Sequence, residues 1–320
     1  MWPVEENTGQ GVKVASAGGG DTHPATLLIP DTDPKPEVFS YLRTLTLTAD
    51  IADDSCKKMN MTWNDYFTIL QNISTKYFYI AGIAFLIGYV LLRKWLRHKK
   101  IQPRFPEAKH YFREIGYSII TMLFFAFIPL FLIKNPAIEP FTTHYTKIGE
   151  YVWFYFYAAF PLMFIIHDTY FYWTHRLMHH PKVFKFFHLV HHQSTNPSPW
   201  AAYAFHPLEG IIEVGIVAVF LFTIPVHSLH LPIFFLLSII YNVYGHTGYE
   251  LYPKGFSKNW FGKWVNTSVN HNLHHQYFKG NYGLYFLFWD RMMGTIRSDY
   301  DERFEEVKGR KNSGQLQGGK

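Results

Sequence analysis

Uncharged apolar runs of membrane length alternate with polar stretches along the chain. Tyr77 to Leu92 carries no charge, and Trp95 extends it toward the roughly 20 residues that cross a hydrocarbon core. Ile115 to Ile133 is a second such run, and Tyr151 to Ile166 a third that leads straight into His167-Asp168. Ile211 to Pro225 and Leu229 to Val243 are shorter, interrupted by Glu213 and Pro232 and separated by Val226-His227-Ser228. They predict a tight helical hairpin that crosses the bilayer or dips into it. Whole runs lack the polar face that an amphipathic helix of a soluble bundle would show. The expected fold is therefore all-α, a multi-pass integral membrane protein with about four to five membrane helices.

The polar stretches divide the chain. Residues 1–58 combine Gly18-Gly19-Gly20, Pro24, Pro30, Pro34 and Pro36 with no sustained apolar period, which reads as a flexible arm. Its start lacks the basic region and apolar core of a cleaved signal peptide. Residues 59–109 hold the first span and a basic loop, 110–300 the membrane-embedded unit, and 301–320 a polar tail. Between Arg93 and Arg113 eight basic residues face one acid, Glu107. The positive-inside rule places this loop in the cytoplasm. Alternating the spans from there puts every histidine cluster described below on the cytoplasmic face, in a helical cap. The net charge of +6 raises nucleic acid as a partner. A basic loop flush against an apolar span instead fits topology and anionic headgroups, and no nucleic-acid role is expected.

Composition narrows the chemistry. The 320 residues are 48% hydrophobic, 19% aromatic and only 17% charged, which excludes wholesale disorder. The single cysteine, Cys56, excludes a disulfide scaffold, an iron–sulfur cluster and a thiolate zinc site built within this chain.

Histidine supplies what cysteine does not. Three clusters stand out: His175-Arg-Leu-Met-His179, His188-Leu-Val-His191-His192, and His271-Asn-Leu-His274-His275. Residues four apart share a helix face, so His175 and His179 can address one point, and the H-x-x-H-H runs each present three imidazoles along one stripe. Eight imidazoles exceed the ligand number of a single ion, so the pattern predicts two neighbouring metals. Imidazole suits zinc, copper, iron and nickel. Zinc sites close with four ligands, so a wholly imidazole dinuclear site favours iron and oxygen chemistry, with zinc as a substitute. A metal transporter would string its histidines through the spans. Here they sit at or beyond span ends on one side, which favours an enzyme over a non-catalytic His-rich membrane metal protein. Asp168 precedes His175 by nearly two helical turns on the same face, where a carboxylate can hold an imidazole N–H.

With these residues in view, Asp168 to His180, His188 to His192, Ala204-Phe205-His206-Pro207, His271 to His275 and Leu287 to Thr295 resemble the fatty acid hydroxylase/sterol desaturase superfamily over roughly residues 110–300. Pro199 to Pro207 and the stretch from Asn281-Tyr282-Gly283 to Trp289-Asp290-Arg291 most resemble its lathosterol oxidase (sterol 5-desaturase) subgroup. The resemblance implies a membrane di-iron enzyme that uses O2 and two electrons to desaturate or hydroxylate a lipid. A sterol is preferred, with fatty acyl and sphingoid-base lipids as alternatives. It also implies that His175, His179, His188, His191, His192, His271, His274 and His275 are the ligands, joined by His246. Some relatives carry a further His where this chain has Glu250, which leaves Glu250 as a ligand, an acceptor behind one, or neither. His206 lies in a matching segment with a near-site or a structural role, and His167 departs from the pattern. No dinucleotide fingerprint, P-loop or haem-attachment motif is present. Electrons are thus expected from an external carrier, a cytochrome or ferredoxin with its reductase, docking near Lys99, Lys100 and Arg104. The membrane would be the endoplasmic reticulum in a eukaryote and the inner membrane in a bacterium.

Overall fold

A computed structural model describes residues 61–310. The arm expected over 1–58, with Cys56, and residues 311–320 lie outside the described residues. Helix α1 (Trp63–Phe85) opens on a capping box: the Thr62 hydroxyl accepts the Asp65 N–H and the Asp65 carboxylate accepts the Thr62 N–H. It continues as a π-helical stretch, Leu86–Leu91. Helix α2 is Ala108–Lys134. Among the described residues, α1 with its extension and α2 are the two helices long and apolar enough to cross a membrane. Their outer faces expose Tyr79, Leu91, Ile119 and Phe127, an apolar surface that water would penalise and lipid would not. Their inner faces pack Tyr77, Ala81 and Met122 with Ala202, Ile239 and Val243.

The third apolar run continues through His175 in one helix, α3 (Trp153–Met178), with His179 as its C-cap. Two short turns follow, α4 (Phe184–Phe187) and α5 (Leu189–His192). The next run breaks into α6 (Pro207–Val214) and α7 (Ile216–Thr223) at Gly215. There the Tyr170 hydroxyl donates to the Ile212 carbonyl, and a Cβ on Gly215 would lie 2.7 Å from that hydroxyl. A two-residue parallel pair, β1 (His144–Tyr145) with β2 (Val226–His227), leads into α8 (His230–His246). At 8, 8 and 17 residues, α6, α7 and α8 each fall short of the ~20 that span a bilayer. Helices α9 (Ser268–Tyr277), α10 (Phe288–Met292) and α11 (Tyr300–Gly309) complete the fold.

Two expectations are corrected. The segment from 301 is not simply a polar tail, because α11 buries Tyr300, Phe304 and Val307 against Ile101, Val269, Leu273 and Leu287. Lys100 is not part of an exposed basic surface. It pairs with Tyr249 in an isolated antiparallel bridge and is fully buried, its Nζ donating to Tyr89 Oη (3.2 Å) and Gly248 O (3.4 Å) among the rings of Tyr89, Phe105 and Tyr249. Burial pulls its pKa down from 10.5 to about 7, against a weak opposing pull from Glu114. The unfolded chain therefore binds one more proton here between pH 7 and about 10, and this group makes stability rise with pH across that window. Lys100→Met is expected to flatten that rise in thermal-melt profiles. Parallel profiles for the two proteins would show the amine to be solvated.

Candidate metal centre

The nine histidines singled out in the sequence converge in two groups. His175 of α3 and His179 at its C-cap, His188 and His192 around α5, and His274 from α9 form the first. His191, His246 at the end of α8, and His271 and His275 of α9 form the second. Within each group one nitrogen per ring lies within 4.8 Å of every other. All are buried except His179, which is half-buried.

Helix geometry explains how two H-x-x-H-H runs serve two groups. Residues i and i+4 nearly eclipse, whereas adjacent residues diverge by about 100° around the axis. His188 and His192 therefore turn toward the first group and His191 toward the second. In α9 the split is mirrored: His271 and His275 face the second group, His274 the first. The single stripes expected from spacing are thus each divided. Helix α9 is anchored at its N-terminus by the Thr267 hydroxyl, which accepts the Asn270 N–H, and by Glu250, whose carboxylate accepts the Val269 N–H.

Three outer nitrogens are tied to backbone carbonyls. His175 Nδ1–H donates to Tyr282 O (2.9 Å), His274 Nδ1–H to Gly280 O (2.8 Å) and His246 Nδ1–H to Asn242 O (2.8 Å). The 280–283 loop that offers two of these carbonyls is itself clamped, since Asp290 accepts the N–H groups of Tyr282 and Gly283. Gly280 has φ 75°, and a Cβ there would meet Thr295 O at 2.5 Å, so the turn requires glycine. His191, His192 and His275 have a buried Nδ1 with no partner among the described residues.

With Nδ1 protonated, Nε2 presents a lone pair inward. Inter-ring Nε2–Nε2 separations are 2.9 Å for His175–His188, 3.0 Å for His192–His274 and 3.0 Å for His246–His271. Where both partners hold their proton at Nδ1, as in His175–His188, lone pair faces lone pair, which is repulsive unless a cation stands between. Protonation is no remedy: burial first, then the neighbouring imidazoles, pulls His188, His192, His274 and His275 well below the usual histidine range. Neutral, inward-facing imidazoles in two sets fit metal ions.

One residue was missed. Glu209 of α6 is buried and lies 2.6 Å from His188 Nδ1, where a carboxylate fixes the tautomer and strengthens Nε2 as a donor. No helix connects it to the histidine runs, so local spacing carried no signal. Its place two residues after Phe205-His206-Pro207 was the available clue.

The remaining expected site residues lie elsewhere. Asp168 does not hold an imidazole: its carboxylate accepts the N–H groups of Tyr285 (2.8 Å) and Phe286 (3.0 Å), joining α3 to the segment before α10. Glu250 spends its oxygens on Tyr244 Oη and the N–H groups of Tyr252 and Val269 and stands in neither histidine group. His206 caps α6, its Nδ1 accepting the Leu208 N–H. His167 pairs with the Tyr285 hydroxyl.

Known proteins match the stretch that carries these residues. Residues 160–295 match the fatty acid hydroxylase family profile. A Delta(7)-sterol 5(6)-desaturase of Gibberella zeae is 30% identical over 238 residues, covering 73% of this chain and 69% of that protein. One from Aspergillus fumigatus is 32% identical over 48% of this chain and 53% of its own length. Human lathosterol oxidase is 28% identical over 58% of this chain and 61% of its own. No solved structure matches. The imidazole-bearing helices lie mainly within the matched stretch, and the chain belongs to the fatty acid hydroxylase family, among whose members it is similar to sterol desaturases.

Proposed function

We propose that this chain is a membrane-bound non-haem di-iron oxidoreductase that uses O2 and externally supplied electrons to desaturate or hydroxylate a lipid, a sterol foremost. The observation that carries this reading is the pair of buried imidazole groups, in which carbonyls and Glu209 hold the outer nitrogens of His175, His246, His274 and His188. Each group would hold one iron: His175, His179, His188, His192 and His274 the first, His191, His246, His271 and His275 the second. Bound iron supplies the activation of O2 needed to take hydrogen from an unactivated C–H bond. The chain's own part is to keep the imidazoles neutral, fix their tautomers and exclude water.

Helices α3 and α6 to α8 would complete a membrane domain of four to five spans, within a catalytic unit over 110–300, with the histidine groups in a cap on the cytoplasmic side. The names of the relatives support a sterol substrate. Desaturation and hydroxylation share this ligand set, and the family's name favours keeping fatty acyl or sphingoid hydroxylation as the second reading. Electrons would come from a separate cytochrome or ferredoxin system, which need not touch Lys100, since that amine is buried.

The test is metal analysis with Mössbauer spectroscopy on detergent-purified protein grown with labelled iron. The expected result is about two irons per chain, one for each imidazole group, with the oxidised ions coupled. Zinc, or no metal after anaerobic ferrous reconstitution, would sink the di-iron reading. Product analysis with sterol, then acyl and sphingoid substrates, separates the two readings.

A further inference from the structure

Residues 251–264 (LYPKGFSKNWFGKW) contain three lysines and no acid. Trp260 is 82% exposed, and Phe261 and Trp264 are also exposed. Helix α10 and its end add Phe288, Met292 (57% exposed) and Met293. The two segments form one surface: Leu287 N–H donates to Trp264 O (2.8 Å), Arg291 Nε to Lys263 O (2.7 Å), and the Trp264 and Phe288 rings lie 6.5 Å apart. Lys263 and Arg291 flank the Trp264 ring at 5.3 and 5.9 Å. The nearby acids are engaged: Asp290 is buried and accepts from Tyr282, Gly283 and Thr295, Glu250 is buried and accepts the Tyr252 N–H, and Glu305 accepts the Gly255 N–H at the far end of the segment. Six large apolar side chains and a cationic rim thus face outward together, and a patch of this kind marks a binding surface.

The patch continues a stripe on α3. Trp289 donates its indole N–H to Thr169 Oγ1 (3.1 Å) and packs on Trp173 at 5.5 Å. Ile165, Trp173 and Leu177, all exposed along α3, run past that junction from the third apolar stretch. Tryptophan prefers the headgroup level of a bilayer, and lysine and arginine there meet anionic lipid.

We propose that the surface formed by Trp260, Phe261, Trp264, Phe288, Met292 and Met293, with Lys263 and Arg291, inserts into the headgroup layer of the membrane that α1 and α2 cross. The occupant is the lipid surface itself. The surface ends at Trp264, three residues before Thr267 caps α9, so this anchor sets the depth of the helix carrying His271, His274 and His275. A lipid substrate then reaches the histidine groups without crossing water. The inference rests on the membrane reading of the proposed function.

Spin labels test it in full-length protein with Cys56→Ser, placed in phosphatidylcholine–phosphatidylserine nanodiscs. Labels go at Trp260→Cys, at Phe127→Cys on the exposed face of α2 as the lipid reference, and at the exposed Glu302→Cys of α11 as the water reference. The expected Trp260 label is several-fold less accessible to a water-soluble nickel chelate than the Glu302 label and more accessible to O2. Met292→Cys provides an independent position should the Trp260 variant fail to fold. Nickel access at Trp260 and Met292 equal to that at Glu302 overturns the inference. Spin–spin broadening between chains at these positions also overturns it, because a second copy would then cover the surface. A Phe127 label open to the nickel chelate sinks the membrane reading itself, which keeps the two failures distinguishable.

Discussion

Alanine at His274 is expected to abolish turnover and to lower bound iron from about two to about one per chain, because it reduces the first imidazole group alone. His274 Nε2 meets His179 at 3.2 Å and His192 at 3.0 Å, so its loss opens one side of the set those rings share. Alanine suits a helix interior, so α9 keeps its course and the second group keeps His271 and His275 in place. His246→Ala is the reciprocal case: its ring meets His191, His271 and His275, and its loss empties the second group while leaving the first. Either change should lower turnover by more than about a thousandfold, and the double variant should be scarcely worse, as for residues that act as one unit. Iron analysis beside product formation in membranes reads both effects. Normal turnover in either variant, or loss of all iron from both, would end the assignment of separate groups to separate ions.

Glu209→Gln should weaken retention of the first metal ten- to a hundredfold, the usual cost of removing a carboxylate behind a ligating imidazole. Glutamine keeps the size and can still accept the His188 Nδ1–H, but without charge it leaves Nε2 a poorer donor. The metal-free protein should fold about as well, since glutamine fills the same space and keeps the contact with His188 Nδ1. Chelator competition followed beside thermal stability separates the roles. A variant that melts early yet binds metal normally would make Glu209 a structural residue. Glu209→Leu, which cannot accept the proton, should lose more affinity than Glu209→Gln.

Much of this was legible in the sequence because it is local. The runs at Tyr77–Leu92, Ile115–Ile133 and Tyr151–Ile166 lie almost wholly in helices, because a helix satisfies every N–H and C=O within an uncharged apolar stretch. The pairs four residues apart, such as His175–His179 and His271–His275, needed only helical periodicity to be seen as facing one point. Local reading failed where an isolated pattern had several outcomes. A lysine in a basic run is usually solvated, and only the return of Tyr249 beside Tyr89 and Phe105 encloses Lys100. Asp168 sits on the same α3 face as His175, yet Tyr285 and Phe286, more than a hundred residues later, take its oxygens. Residues 301–309 look polar as a segment, and it takes α9 and Ile101 to give Tyr300, Phe304 and Val307 a core to enter.

The identity, number and spacing of the donors follow from covalent order and helix pitch, which are properties of the chain alone. The tertiary structure decided how those donors are shared. It sends His191 and His192, or His274 and His275, to different groups, brings His246 to the second and sets Glu209 behind His188. That division depends on the angles at which α3, α5, α8 and α9 pack. Packing between segments far apart in sequence sets those angles, and no local period encodes them.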